Sequence, residues 1–248
     1  MDRKYHRILL KISGEFLMGD LDFGLDVKTI DRIANEVSVA HSNGYEICIV
    51  IGGGNIFRGV SAASYGMHRA AADNIGMLAT VMNSVAFQNS LEKFGVSSRV
   101  MSAIVMPTVC EPYVRRKALR HMEKRRVVIC AAGSGNPYFT TDTAAALRAL
   151  EIGCDVIMKA TKVQGVYTSD PEKSADAQFM EKISYREVIE KDIRVMDHTA
   201  ISLARENKIP IIVFSIKEEG NLCDVLSGNG HYSTIVPDDG DSSRGKDD

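Results

Sequence analysis

Four stretches of the chain carry residue types whose spacing suits phosphate chemistry. Glu46 to Ile51 (EICIVI) is a continuous apolar run that leads directly into Gly52, Gly53, Gly54 and Asn55, then Phe57, Arg58 and Gly59. Successive glycines let backbone N–H groups approach an anion without Cβ obstruction, a following helix offers free N-terminal amides, and an arginine adds planar, multi-donor charge. A plain turn needs one glycine, not three followed by an arginine. The first apolar run, His6 to Ile12 (HRILLKI), carries Lys11 near its end and feeds Ser13 and Gly14. That lysine is either a solvated strand end or a cation reaching over the carboxyl edge of a sheet, where open α/β folds place their ligands. A third run, Asp155 to Lys159 (DVIMK), is followed by Thr161 and Lys162, and two lysines beside a threonine suit a polyphosphate.

The fourth stretch, Ala131 to Ala146, joins an apolar strand pattern (Val127 to Ala132) to an alanine-rich helix pattern (Thr143 to Leu150). Between them lie glycines, an asparagine, two aromatics, hydroxyl residues and Asp142, the composition of a binding loop. Asp142 stands at a helix start, where it either compensates the helix dipole or orients a lysine or a magnesium-bound water. Asp73 has the same ambiguity near the start of another helix: dipole compensation, or a carboxylate for a ribose hydroxyl facing the glycine loop. The chain has no GxxxxGK[ST] and no GxGxxG in dinucleotide context, which excludes a Walker-type NTPase and a Rossmann NAD site.

The elements that must position these residues alternate almost throughout. Asp26 reads as the N-cap of a helix with Ile30, Ile33, Ala34 and Val37 at three-and-four spacing, stopping at Asn43-Gly44. Arg69 to Gly95 reads as a long helix with Ile75, Leu78, Ala79, Met82, Val85 and Ala86 on one face. Arg99 to Val105 is a strand, and Tyr113 to Lys124 a basic helix that is either a solvated face or a subunit contact or anionic regulatory site. Val163 to Thr168 has hairpin character, closed by Pro171. Helices at Tyr185 to Glu190, Thr199 to Asn207 and Leu222 to Leu226 alternate with strands at Pro210 to Phe214 and Ser233 to Val236. This order predicts an α/β fold with a mainly parallel sheet covered on both faces. No linker divides residues 1–236, which read as a single domain, and 237–248 as a polar, disordered tail.

The 248 residues bury a sizeable core, and 45% hydrophobic with 25% charged residues is ordinary globular composition. A net charge of −2 gives no electrostatic reason to expect nucleic acid or an anionic membrane as partner. Five scattered cysteines without a CxxC read as reduced packing residues rather than a zinc site or disulfide framework. The absence of a signal-type segment and of a long apolar run predicts a cytoplasmic protein.

Lys11-Ile-Ser-Gly14, Gly52-Gly-Gly-Asn-Ile-Phe-Arg-Gly59, Ser134-Gly-Asn-Pro-Tyr-Phe-Thr-Thr-Asp142 and Lys159-Ala-Thr-Lys-Val-Gln-Gly-Val-Tyr167 stand in an order and spacing that closely resemble the bacterial uridylate kinases of the amino acid kinase family. The resemblance covers about residues 5–236. The lysine start and the glycine loop are shared across that wider family and speak for its fold. GGGNxFRG with GNPYFTTD is narrower and speaks for the UMP kinase branch.

The resemblance implies a three-layer α/β/α sandwich with UMP over the N-terminal half and ATP, with Mg2+, over the C-terminal half. It implies UMP contacts from Gly53, Asp73, Ser134, Gly135, Asn136, Pro137, Tyr138, Phe139, Thr140 and Thr141. The ATP side would comprise Lys11, Ile12, Ser13, Gly14, Gly54, Arg58, Thr161, Tyr167 and Asp170. Lys11 and Arg58 are assigned to the transferring phosphoryl group, Lys162 to the donor phosphates and Asp142 to orientation. A homohexamer, activation by GTP and inhibition by UTP are further family traits. The GTP segment would be Gly19, Asp20, Leu21, Asp22, Phe23 and Gly24, with Arg99 and Arg126 as basic partners from a neighbouring subunit, although Gln88 and Glu92 occupy positions where more positive charge is expected. For base choice, Asn136, Thr141 and the backbone around Phe139 can match the uracil edge, with Tyr138 or Phe139 on the ring. Competing readings are a kinase for an amino acid or isoprenoid phosphate, and a nucleotide sensor without turnover.

Overall fold

The structure, a computed structural model, describes residues 4–57, 66–169, 171, 173, 174 and 176–238. Its strands are β1 (Arg7–Ile12), β2 (Glu46–Ile51), β3 (Ser98–Ser102), β4 (Glu111–Pro112), β5 (Val127–Ala131), β6 (Val156–Thr161), β7 (Val166–Tyr167), β8 (Phe179–Met180), β9 (Lys182–Ser184), β10 (Ile211–Ser215) and β11 (Tyr232–Val236). The helices are α1 (Val27–Ser42), α2 (Arg69–Lys93), α3 (Arg115–Glu123), α4 (Thr141–Ile152), α5 (Tyr185–Glu190), α6 (His198–Glu206) and α7 (Asn221–Leu226).

Strand alternation decides the layers. In β1, Ile8, Leu10 and Ile12 enter one core while Leu9 enters the other; in β6, Val156, Met158 and Ala160 part from Ile157 in the same way. The first core is closed by α1, α2 and α7, through residues such as Ile33, Val37, Phe87 and Leu222. The second is closed by α3, α4, α5 and α6, through Met122, Ala145, Ala149, Tyr185 and Ala204. Among the described residues the main sheet runs β4-β3-β5-β2-β1-β6-β10-β11-β9. Pairing is parallel from β4 to β10, and β11 pairs antiparallel with β10. The result is the expected three-layer α/β/α sandwich with a mainly parallel sheet.

Register and period together place the first chemical residues. Lys11 follows Leu9 by two and Lys159 follows Ile157 by two, so both lysines share the α4 face; Lys11 and Lys159 are also register partners across β1 and β6. Helix α4 can lie close above them because its inner face is alanine, with Ala144, Ala145, Ala146 and Ala149 all essentially unexposed.

Of the apolar face read on the helix over 69–93, Ala79 is buried and Ala86 packs against the core, but its larger side chains point outward. Ile75, Leu78, Met82 and Val85 are exposed by 38%, 48%, 56% and 38%, whereas Thr80, Asn83, Ser84 and Ser90 are buried beside Met77, Val81, Phe87 and Leu91. The buried polar side chains are all hydrogen-bonded internally, which removes the cost of turning that face inward. The hairpin expected over 163–168 is instead a longer connection: β7 pairs antiparallel with β8, Val166 opposite Met180. The helix expected directly after the glycine loop falls on residues outside those described, as do Arg58 and Asp170. Of the tail, 239–248 likewise lies outside, while Asp238 accepts from the Arg186 N–H at 2.9 Å.

The alanine face of α4 generates a prediction. Ala146→Leu should lower stability by about 1–3 kcal/mol through overpacking, read from urea unfolding.

Candidate functional site

The centre of the site is a carboxylate between two ammonium groups. Lys11 Nζ lies 2.6 Å from Asp142 Oδ1, and Lys159 Nζ lies 2.7 Å from Asp142 Oδ2. The side chains are 9%, 14% and 15% exposed for Lys11, Asp142 and Lys159. Lys159 also donates to the Val195 carbonyl. Burial alone would raise the Asp142 carboxyl, but the two lysines hold it below its ordinary value. Burial, with Lys11 adding to it, lowers the Lys159 ammonium despite the attraction of Asp142.

Asp142 is delivered by the cap of α4. Thr140 is the N-cap, and its Oγ1 accepts from the N–H groups of Asp142 at 3.0 Å and Thr143 at 3.3 Å. The Thr140 hydroxyl in turn donates to Asp197, which also receives the Thr143 hydroxyl at 2.9 Å and the Ala200 N–H at 2.9 Å. Asp197 is itself the N-cap of α6, so one carboxylate ties the starts of two helices together.

The glycine loop packs against this centre without space for side chains. A Cβ on Gly14 would lie 2.4 Å from the Gly52 carbonyl oxygen, and one on Gly53 would lie 2.7 Å from that of Gly76. Gly53, Gly54, Asp73, Ser134, Phe139 and Thr141 line one cavity of about 140 Å³. Asp73 is held by the Arg69 Nε at 2.9 Å and accepts from the Tyr138 N–H at 2.8 Å, latching the 134–141 loop to α2. Tyr138 adopts φ 73°, a left-handed conformation uncommon for a side-chain-bearing residue. A second cavity, of about 490 Å³, is lined by Thr161, Tyr167, Lys173, Arg194 and Val195. The lysine cluster touches the walls of both: Asp142 follows Thr141 of the smaller, and Lys159 bonds Val195 of the larger.

The structure thus brings Lys11 and Asp142 together as the sequence suggests, and puts Gly53, Asp73, Ser134, Phe139, Thr140 and Thr141 around one cavity. Gly135, Asn136, Pro137 and Tyr138 belong to the same loop. Ile12, Ser13 and Gly14 lie against the glycine loop, the Ile12 carbonyl accepting from the Gly52 N–H at 2.9 Å. Gly54, expected on the ATP side, lines the smaller cavity with Gly53. Lys162 is half-exposed and meets Glu15 at 3.7 Å rather than Asp142. Gly24 exchanges two hydrogen bonds with Asn55, which docks the Gly19–Gly24 segment on the glycine loop and leaves Leu21 and Phe23 exposed. Arg99 pairs with Glu111 and Arg126 with His121. Sequence reasoning named Lys159 beside Lys162 as suiting a polyphosphate but gave the role at the transfer site to Lys162, and it missed Asp197. The pairing of β6 with β1 is what selects Lys159 over Lys162, and a capping position before a helix was the local signal for Asp197.

The sequence profile described as the amino acid kinase family matches residues 6–215. The chain belongs to the amino acid kinase family. Within it, the chain is 60% identical over 237 residues to a uridylate kinase of Paramagnetospirillum magneticum, covering 96% of this chain and 99% of the relative. It is 58% identical to a uridylate kinase of Ehrlichia ruminantium, over 94% of this chain and 96% of that one. Among solved structures, a UMP kinase of Bacillus anthracis superimposes with a TM-score of 0.91 at 39% identity, over 95% and 98% of the two chains. A UMP kinase of Ureaplasma parvum gives 0.90 at 37%, over 95% and 100%.

The buried cluster makes a stability prediction with a defined sign. The Asp142 carboxyl titrates in the folded state below its ordinary 3.8, so its stabilisation is complete above that pH and is lost as pH falls through the lower folded value. Asp142→Asn leaves two buried ammoniums uncompensated and should cost about 3–5 kcal/mol at pH 7. The difference from the wild type should narrow as the pH is taken below 3.8, measured by urea unfolding at each pH.

Proposed function

We propose that this protein is a UMP kinase, transferring the γ-phosphoryl group of ATP to UMP to give UDP and ADP. The observation that carries the reading is the Lys11–Asp142–Lys159 cluster, set between a small cavity with the glycine loop and a larger one at the ends of β6 and β7. In this reading UMP occupies the small cavity. Gly53 and the loop 134–141 hold its phosphate and base, and Asp73 meets its ribose. ATP occupies the larger one along Thr161 and Tyr167, its phosphates reaching back toward Gly14, Gly54 and Lys11. Arg58 and Asp170 keep the roles that the family resemblance implies.

Transfer of a phosphoryl group asks mainly for alignment and for neutralisation of charge on the equatorial oxygens. Lys11 and Lys159 supply fixed ammoniums from neighbouring strands, and Asp142 sets their spacing. A phosphate oxygen of UMP attacks the γ-phosphorus, the bond to the bridging oxygen breaks, and ADP departs with that oxygen. The acceptor is already an anion, so Asp142 is not required as a base. Both Asp142 oxygens face lysines, so in this reading the carboxylate holds the ammoniums and Mg2+ is carried in on the phosphates of ATP. When bound, that ion neutralises charge on the donor phosphates.

The same proposal includes self-association. Ile75, Leu78, Met82 and Val85 form an exposed apolar stripe at helical spacing on α2, and covering it with a second copy would remove it from water. The assembly in this proposal is a hexamer, with GTP as activator and UTP as inhibitor. No described helix is long and apolar enough to cross a membrane, and we place the enzyme in the cytoplasm.

ADP release measured with UMP, CMP, dTMP and small amino acids as acceptors should show a clear preference for UMP; lack of that preference would reject the assignment. Asp142→Asn should lower turnover by about a hundredfold or more while nucleotide binding persists. Leu78→Glu with Met82→Glu should shift the protein to a smaller species on sizing chromatography, and adding GTP or UTP to the wild-type assay tests regulation directly.

A further inference from the structure

Helix α2 carries a buried amide that no part of the foregoing mechanism uses. Asn83 is fully buried, and its Nδ2 donates to the Gly52 carbonyl at 2.6 Å and to Asn55 Oδ1 at 2.7 Å. Asn55 Nδ2 returns a hydrogen bond to Asn83 Oδ1 at 3.0 Å and donates to the Gly24 carbonyl at 2.8 Å. Both amides thus have every hydrogen engaged, a satisfied network in a place where an unsatisfied one would be costly. One turn earlier on the same face, Thr80 accepts from the Ala132 N–H at 2.8 Å, at the start of the 134–141 loop.

The Gly52 carbonyl belongs to the peptide unit whose nitrogen is that of Gly53. A trans peptide is planar and its C=O and N–H point in opposite directions. Holding the carbonyl against Asn83 therefore aims the Gly53 N–H away from Asn83, and Gly53 and Gly54 both line the small cavity. Glycine makes such a peptide easy to rotate, because neither Gly52 nor Gly53 has a Cβ to resist it. Rotated, the unit would present a carbonyl oxygen to an incoming phosphate.

We propose that Asn83 is a positioning residue of the transfer site, fixing the Gly52–Gly53 peptide so that an N–H faces the acceptor phosphate. The inference rests on the UMP kinase reading and adds to it the residue that sets the polarity of the glycine loop. Asn83→Asp preserves volume but sets a carboxylate against two oxygens, the Gly52 carbonyl and Asn55 Oδ1, and so favours rotation.

The test compares UMP with uridine, which lacks the phosphate, by calorimetry on the full-length protein. Wild type should bind UMP much more tightly than uridine. Asn83→Asp should weaken UMP about tenfold or more while changing uridine less than about twofold, and the KM for ATP should move far less than that for UMP. Asn83→Ser, which keeps one donor for the carbonyl, should recover part of the loss and serves the same comparison if Asn83→Asp does not fold. An unchanged UMP-to-uridine ratio in a folded variant, with only a lowered melting temperature, would overturn the proposal and leave Asn83 a packing residue. Failure of the wild type itself to prefer UMP over uridine would instead count against the UMP kinase reading.

Discussion

Two ammonium groups on neighbouring strands can be buried side by side only because a carboxylate lies between them. Lys11 and Lys159 are register partners, so the sheet itself forces them together. Asp142 is the first-turn acid of α4, and the positive end of that helix dipole favours a carboxylate there. A parallel strand and the helix N-terminus that follows it share one edge of the sheet, which is why such a bridge forms at this edge and not at the other. Two cations face one anion within the cluster, and the Asp197 carboxylate at the helix cap also acts on Lys159. In the proposed mechanism, removal of Asp142 therefore disturbs folding and chemistry through the same contact.

Helix α2 shows how a site can override the hydrophobic pattern of an element. One apolar stripe faces outward while Thr80, Asn83, Ser84 and Ser90 face inward beside Met77, Val81, Phe87 and Leu91, because part of the inward side must meet loop backbone. Gly53 approaches the Gly76 carbonyl and the Ala79 Cβ so closely that no side chain fits between, and Thr80 and Asn83 satisfy loop groups that would otherwise be buried unpaired. The helix thus stands between the glycine loop on one side and an exposed apolar surface on the other. Any contact made through the outer stripe bears on the same rigid element that supports the loop.

The strands and most helices were legible because their signals are local. Glu46–Ile51 and Tyr185–Glu190 have in the structure the limits that hydrophobicity and turn residues suggest. Asp26 caps α1 as its position implied, accepting from Lys28 and Thr29. What failed depended on contacts distant in sequence. Periodicity finds an apolar face on α2 but cannot say whether the core or another surface covers it. The choice between Lys159 and Lys162 turns on which side of β6 faces α4, a question answered by β1 pairing and not by the motif. Asp197 is 54 residues from Thr143, and nothing local announces that its carboxylate serves α4 as well as its own helix. The short β8 and β9 strands carry too few residues for alternation to register.

The polarity of the α4 cap follows from Asp197. An ionised carboxylate can only accept, so the Thr140 hydroxyl must give its hydrogen to Asp197 and keep its lone pairs for the N–H groups of Asp142 and Thr143. A threonine with its hydrogen turned the other way would face those N–H groups donor to donor and release the first turn of the helix. Two residues before Asp197, the Val195 carbonyl holds Lys159 and lines the larger cavity. The segment from Val195 to Asp197 therefore fixes one lysine of the cluster directly and the carboxylate of the cluster through Thr140. Displacing that segment would alter the wall of the larger cavity and the cap beside the smaller one together, so the two cavities share a mechanical support although they lie on different loops.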